Sequence, residues 1–77
     1  MARQIRANAN AEAGDMVRAV TDTFLYTERG NIPVAEDTIC VVITRDDGNL
    51  APATLTTEHG KAYEGHIDLS QFVVVGN

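Results

Sequence analysis

Cys40, His59 and His66, set among eleven acidic residues, are the side chains of this sequence that could carry nucleophilic or metal chemistry. Cysteine catalysis needs a base within hydrogen-bond reach and a further group that orients the base. Cys40 instead sits inside Thr38-Ile39-Cys40-Val41-Val42-Ile43-Thr44, an apolar run in which a free cysteine behaves as a small buried hydrophobe. His59 falls in a turn, and His66 in an alternating segment where it faces water beside Glu64. One cysteine and two histidines fall short of the four ligands of a structural zinc site, and a lone cysteine forms no internal disulfide. Asp46-Asp47-Gly48-Asn49 clusters oxygen ligands, but it lacks the length and the distal glutamate of a calcium loop and reads as a hairpin turn. No glycine-rich phosphate loop is present. The expectation is a chain with no catalytic residues, no cofactor and no metal.

Recognition chemistry is equally sparse. Phe24, Tyr26 and Tyr63 are the main aromatic resources, and there is no tryptophan. They are too few to line a proline-rich peptide groove or to wall a methyl-lysine cage. A net charge of −5 opposes general attraction to nucleic acid or an anionic membrane. The alternative function that stays open is a nucleic-acid-associated domain using Arg3, Arg6, Arg18, Arg29 and Lys61. No apolar run approaches the ~20 residues that cross a bilayer. The first residues lack the apolar core of a secretory signal. With an unpaired cysteine, this points to an intracellular, cytoplasmic setting.

Behind these side chains, 77 residues make one domain, because a chain of this size cannot support two cores. Residues 1–13, MARQIRANANAEA, contain one large apolar residue after Met1, Ile5, and two arginines, Arg3 and Arg6. They read as a flexible or partner-ordered arm. Residues 14–77 read as an all-β domain of short strands joined by tight turns. The first strand is Met16 to Val20, and the second is Thr38 to Thr44, almost entirely β-branched. The third runs Leu50 to Thr57, the fourth Lys61 to Ile67, and the fifth Phe72 to Val75. Between the first two lies a long arch over residues 21–37. Its arms are Thr23 to Thr27 and Ile32 to Val34, with a turn at Gly30-Asn31 and an edge position enforced by Pro33. Asp68-Leu69-Ser70-Gln71 fits a single turn of 3₁₀ helix.

The Gly14-Asp15-Met16-Val17-Arg18 opening, the arch, the strand leading to Asp46-Asp47-Gly48, and the Asp68-Leu69-Ser70 turn before a last apolar strand together resemble the SH3-like small barrels. The likeness covers roughly residues 14–75. It implies a five-stranded barrel. It also implies the role of such accessory subunits as photosystem I subunit IV and the variable chain of ferredoxin–thioredoxin reductase, which dock on larger proteins and are not catalytic alone. Asp37 and Cys40 stand where many such domains, the KOW type included, place glycine, which counts against RNA or ribosome binding.

Side-chain accounting gives the docking role a location. Ile39, Val41 and Ile43 form one apolar face of the second strand, yet Cys40 and Val42 occupy the other. Phe72 and Val74 likewise lie opposite Val73 and Val75. Exposing such side chains forgoes ~1.5–3 kcal/mol each, so a cover is required: the chain's own arch through Phe24, Leu25 and Tyr26, the N-terminal arm, or another chain. The expected interface is therefore Phe24, Leu25, Tyr26, Cys40, Val42, Phe72 and Val74, with the arm residues Arg3, Ile5 and Arg6 as an accessory contact. The function expected is a non-catalytic interaction or assembly module that docks on a larger protein or self-associates. A small phage-encoded or virion protein fits this use as well as a cellular subunit does.

Overall fold

The computed structural model describes residues 11–44, 49–57 and 59–76. The arm residues Arg3, Ile5 and Arg6, and the expected turn at Asp46 to Gly48, lie outside these. Seven strands form: β1 (Met16–Ala19), β2 (Thr23–Thr27), β3 (Gly30–Val34), β4 (Ile39–Val42), β5 (Leu50–Thr56), β6 (Ala62–Asp68) and β7 (Phe72–Gly76). The pairings are antiparallel and the order is β3-β2-β6-β5-β4-β1-β7. The protein is all-β, as composition and turn spacing implied.

Seven strands rather than five arise because the arch is itself a hairpin. Thr23 to Thr27 pairs with Gly30 to Val34 in full register, and Tyr26 then pairs with His66 of β6. The tight turn falls at Glu28-Arg29, two residues before the expected Gly30-Asn31. Gly30 accepts it by a backbone φ of 123°, a conformation side chains resist. The Thr27 hydroxyl fastens the turn, donating to the Gly30 carbonyl at 2.6 Å. With β3 and β7 at the two ends of the strand order, the sheet is not closed.

The linker between β3 and β4 is held to β1: Asp37 N–H donates to Ala19 C=O at 2.8 Å, and Ala19 N–H to Thr38 C=O at 2.9 Å. Asp37 takes a φ of 75° to do so, a left-handed conformation that favours glycine but that aspartate tolerates better than most side chains. Asp68 caps the expected 3₁₀ turn (Leu69–Gln71), its carboxylate accepting from Ser70 N–H at 3.0 Å and from the Ser70 hydroxyl at 2.7 Å. Val17 pairs with Val74 and Met16 with Gly76, so Val75 is an extra residue, a bulge in β7.

The core is built from Val17 and Ala19 of β1, Leu25 of β2, Val34 of β3, and Cys40 and Val42 of β4. Ala51, Ala53 and Leu55 of β5, Ile67, Leu69 and Phe72 complete it. Ala11 is also fully buried in this cluster. Its segment is tied down: Gly14 N–H donates to Val42 C=O at 2.8 Å, and Val42 N–H to Asp15 C=O at 2.9 Å. Ala11, expected in the flexible arm, is thus packed into the body, while Glu12 and Ala13 stay exposed.

Candidate interaction surface

Register decides which side chains face water. Arg18 pairs with Ile39 on one side and Val73 on the other, and Met16 pairs with Val41. Cross-strand partners share a face of the sheet, so Ile39, Val41, Met16 and Val73 lie on the face that carries Arg18. That face is the outer one. Val41 is 38% exposed, Met16 41% and Ile39 42%, with Ile43 and Val75 also exposed. The result is an apolar surface on the β7–β1–β4 wing, broken among the described residues by the Arg18–Asp37 pair. Arg18 Nη1 lies 3.1 Å from Asp37 Oδ1, so the wing's own cation is neutralised locally.

The expected interface is therefore inverted over most of its length. Leu25, Cys40, Val42 and Phe72 are in the core and present no surface; Ile39 and Val41 present one instead. Val74 is half-buried against the core. Phe24 and Tyr26 are exposed, but on the hairpin, where Phe24 pairs with Pro33 and Tyr26 with His66. They are separated from the wing in the strand order by β6 and β5. The signal that could have fixed the facing was Arg18. A charged side chain in the middle of β1 points to water, and antiparallel pairing carries that orientation to β4.

Of the bases named for nucleic acid, Arg18 is paired with Asp37. Arg29 and Lys61 lie at the other end of the sheet, where Lys61 Nζ sits 5.4 Å from the centre of the Tyr63 ring. Near them a cleft of about 660 Å³ opens between the hairpin and β6, lined by Tyr26, Arg29, Ile32, Tyr63, Glu64 and His66 among others. Glu28, Arg29 and Glu64 are the acids and arginine of its lining. Gly65 allows the hairpin to sit this close, since a Cβ there would lie 2.5 Å from the Tyr26 carbonyl oxygen.

Cys40 is buried, and burial pushes its thiol from 9.0 up to about 11. It is held as a neutral thiol, the opposite of what nucleophilic use requires. Among the described residues no three histidine, cysteine or acidic side chains come together as a metal site, and no helix is long and apolar enough to cross a membrane. No family model, curated protein or solved structure matches the chain.

Proposed function

We propose that this protein is a non-catalytic interaction module that docks on another protein through the outer face of the β7–β1–β4 wing. The observation that carries this reading is the run of exposed Met16, Ile39, Val41, Ile43 and Val75. Contiguous apolar surface of this kind on a small domain marks an interface. Arg18 and Asp37 supply the polar mark that such apolar patches use for orientation. The finer fold reading is SH3-like. Its support is the succession of an opening strand, an arch, a three-stranded meander, a 3₁₀ turn and a final strand returned beside β1.

The test is retention of a binding partner by immobilised protein from its source cells, comparing wild type with Val41→Asp across a salt series. Val41 points outward, and circular dichroism of the variant checks that the fold is kept. Apolar docking predicts at least a tenfold loss of retention for Val41→Asp and little salt dependence for wild type. Equal retention by both proteins would remove the wing as the docking site. Retention that falls steeply with salt would favour the phosphate-binding alternative.

A further inference from the structure

The two ends of the sheet are chemically different. β3 carries Pro33, which has no N–H to offer a neighbour, and an edge bearing proline is protected against further pairing. β7 reads Phe72-Val73-Val74-Val75-Gly76, and from Leu69 to Asn77 there is no proline and no charged residue. Among the described residues β7 pairs with β1 alone.

The free side of β7 can be read from the hydrogen bonds on its other side. Val20 N–H donates to Gln71 C=O at 2.9 Å, whereas Ala19 N–H turns the opposite way, to Thr38. Antiparallel ladders alternate hydrogen-bonded and non-hydrogen-bonded pairs. Arg18 and Val73 are therefore the next bonded pair, and Phe72 and Val74 direct their peptide groups away from β1. The Phe72 N–H is taken by the Leu69 carbonyl. The Phe72 C=O and the Val74 N–H point outward, two residues apart, one an acceptor and one a donor.

We propose that β7 pairs antiparallel with β7 of a second copy of this chain, about a two-fold axis at Val73. Each Val74 N–H donates to the Phe72 carbonyl of the other copy, and the two Val73 side chains face each other as the non-hydrogen-bonded pair. A second copy is the occupant because the donor and acceptor are already spaced to satisfy themselves under a two-fold, which is what an isologous contact demands. This register uses Phe72 to Val74 alone and stops short of the bulge at Val75. Two chains of net charge −5 meet through a segment that carries no charge, and each nearby Arg18 is compensated by its own Asp37. The pairing goes beyond the docking role: it leaves both outer faces open and joins them side by side, so that one assembly presents two docking wings.

A contact of this length is smaller than the ~800 Å² per partner of a standard stable complex, so the dimer depends on concentration. Sedimentation velocity of the full chain between about 10 μM and 1 mM, a span suited to so small an interface, is expected to show monomer passing to dimer. Val73→Lys and Val74→Pro are each expected to weaken association at least tenfold. Circular dichroism and melting should stay native-like, because Val73→Lys keeps the backbone N–H that faces β1 and Val74→Pro removes one that faces away from it. Register is read by cross-linking. Val73→Cys is expected to form an interchain disulfide in a glutathione buffer, since non-hydrogen-bonded partners sit with Cα atoms ~4.5 Å apart, within disulfide range. Val75→Cys is expected not to, and buried Cys40 takes no part. A monomer throughout, a dimer that both variants leave intact, or equal cross-linking at 73 and 75 would overturn the pairing. Val41→Asp should leave the dimer unchanged, so loss of docking and loss of pairing are separate results.

Discussion

Cys40 shows how a residue that invites chemistry is diverted to packing. It stands opposite Val17 in the ladder, fully buried, with its thiol pushed up to about 11. Burial penalises the thiolate, so the folded state holds its proton more tightly than the unfolded chain does. The linkage has a definite sign: Cys40 favours folding below pH 9, and that contribution is lost as pH rises from about 9 to about 11. Two units correspond to roughly 2–3 kcal/mol. Urea unfolding between pH 8 and pH 11 is expected to show a midpoint that falls over this window in wild type and falls less in Cys40→Ala. In native protein at pH 8 the thiol should stay silent to a disulfide reagent that labels it fully in urea. At the same scale, Arg18 held the information about facing. Period-two alternation in Thr38 to Thr44 is apolar in both parities, so the strand alone does not say which side is inward. The decision comes from its neighbours: small Ala51 and Ala53 leave room on one side, and charged Arg18 claims water on the other.

Among the elements, strand positions were legible because each has its own local signal. β-branched density marked β4, proline marked the β3 edge, and Asp-Leu-Ser marked the 3₁₀ turn. What the arch does was not legible, since its pairing with β6 joins residues forty positions apart, Tyr26 and His66. The only trace in the sequence is Gly65, whose meaning depends on what lies above it. Replacing Gly65 with alanine would set a Cβ 2.5 Å from the Tyr26 carbonyl oxygen and 3.0 Å from both Leu25 Cγ and Thr27 Cγ2. Backbone has to move to admit it, at a cost of roughly 1–3 kcal/mol. Denaturant melts of Gly65→Ala should show that loss. Hydrogen exchange should place it at the hairpin, with amides of β2 and β3 exchanging faster while those of β1 and β4 keep most of their protection. A uniform loss across the sheet would mean that the hairpin is not a separable layer.

For the molecule as a whole, packing reaches further toward the N-terminus than composition suggests. Ala11 has no apolar bulk to announce a core position, yet it is fully buried among Val17, Val42 and their neighbours. Glu12 N–H donates to the Asp15 carboxylate at 2.8 Å, and Asp15 N–H to the Glu12 carbonyl at 3.0 Å, which turns the chain inward at this point. Ala11→Asp would bury an unpaired charge, and such changes cost 3 kcal/mol or about that order. Thermal melting is expected to drop by about 10 °C or more, given ~4–8 °C per kcal/mol for a domain of this length. The same change at Ala13, which is exposed, should be almost silent.

Pro33, placed at the far end of the strand order from β7, has a consequence for the size of any assembly. A sheet with two receptive edges can add copies at both and grow into a filament. With one edge blunted, an isologous union at the other consumes the only growing end, and assembly stops at two. The imide of a single residue would thus set a ceiling on stoichiometry, keeping a valine-rich strand from becoming a polymerisation hazard.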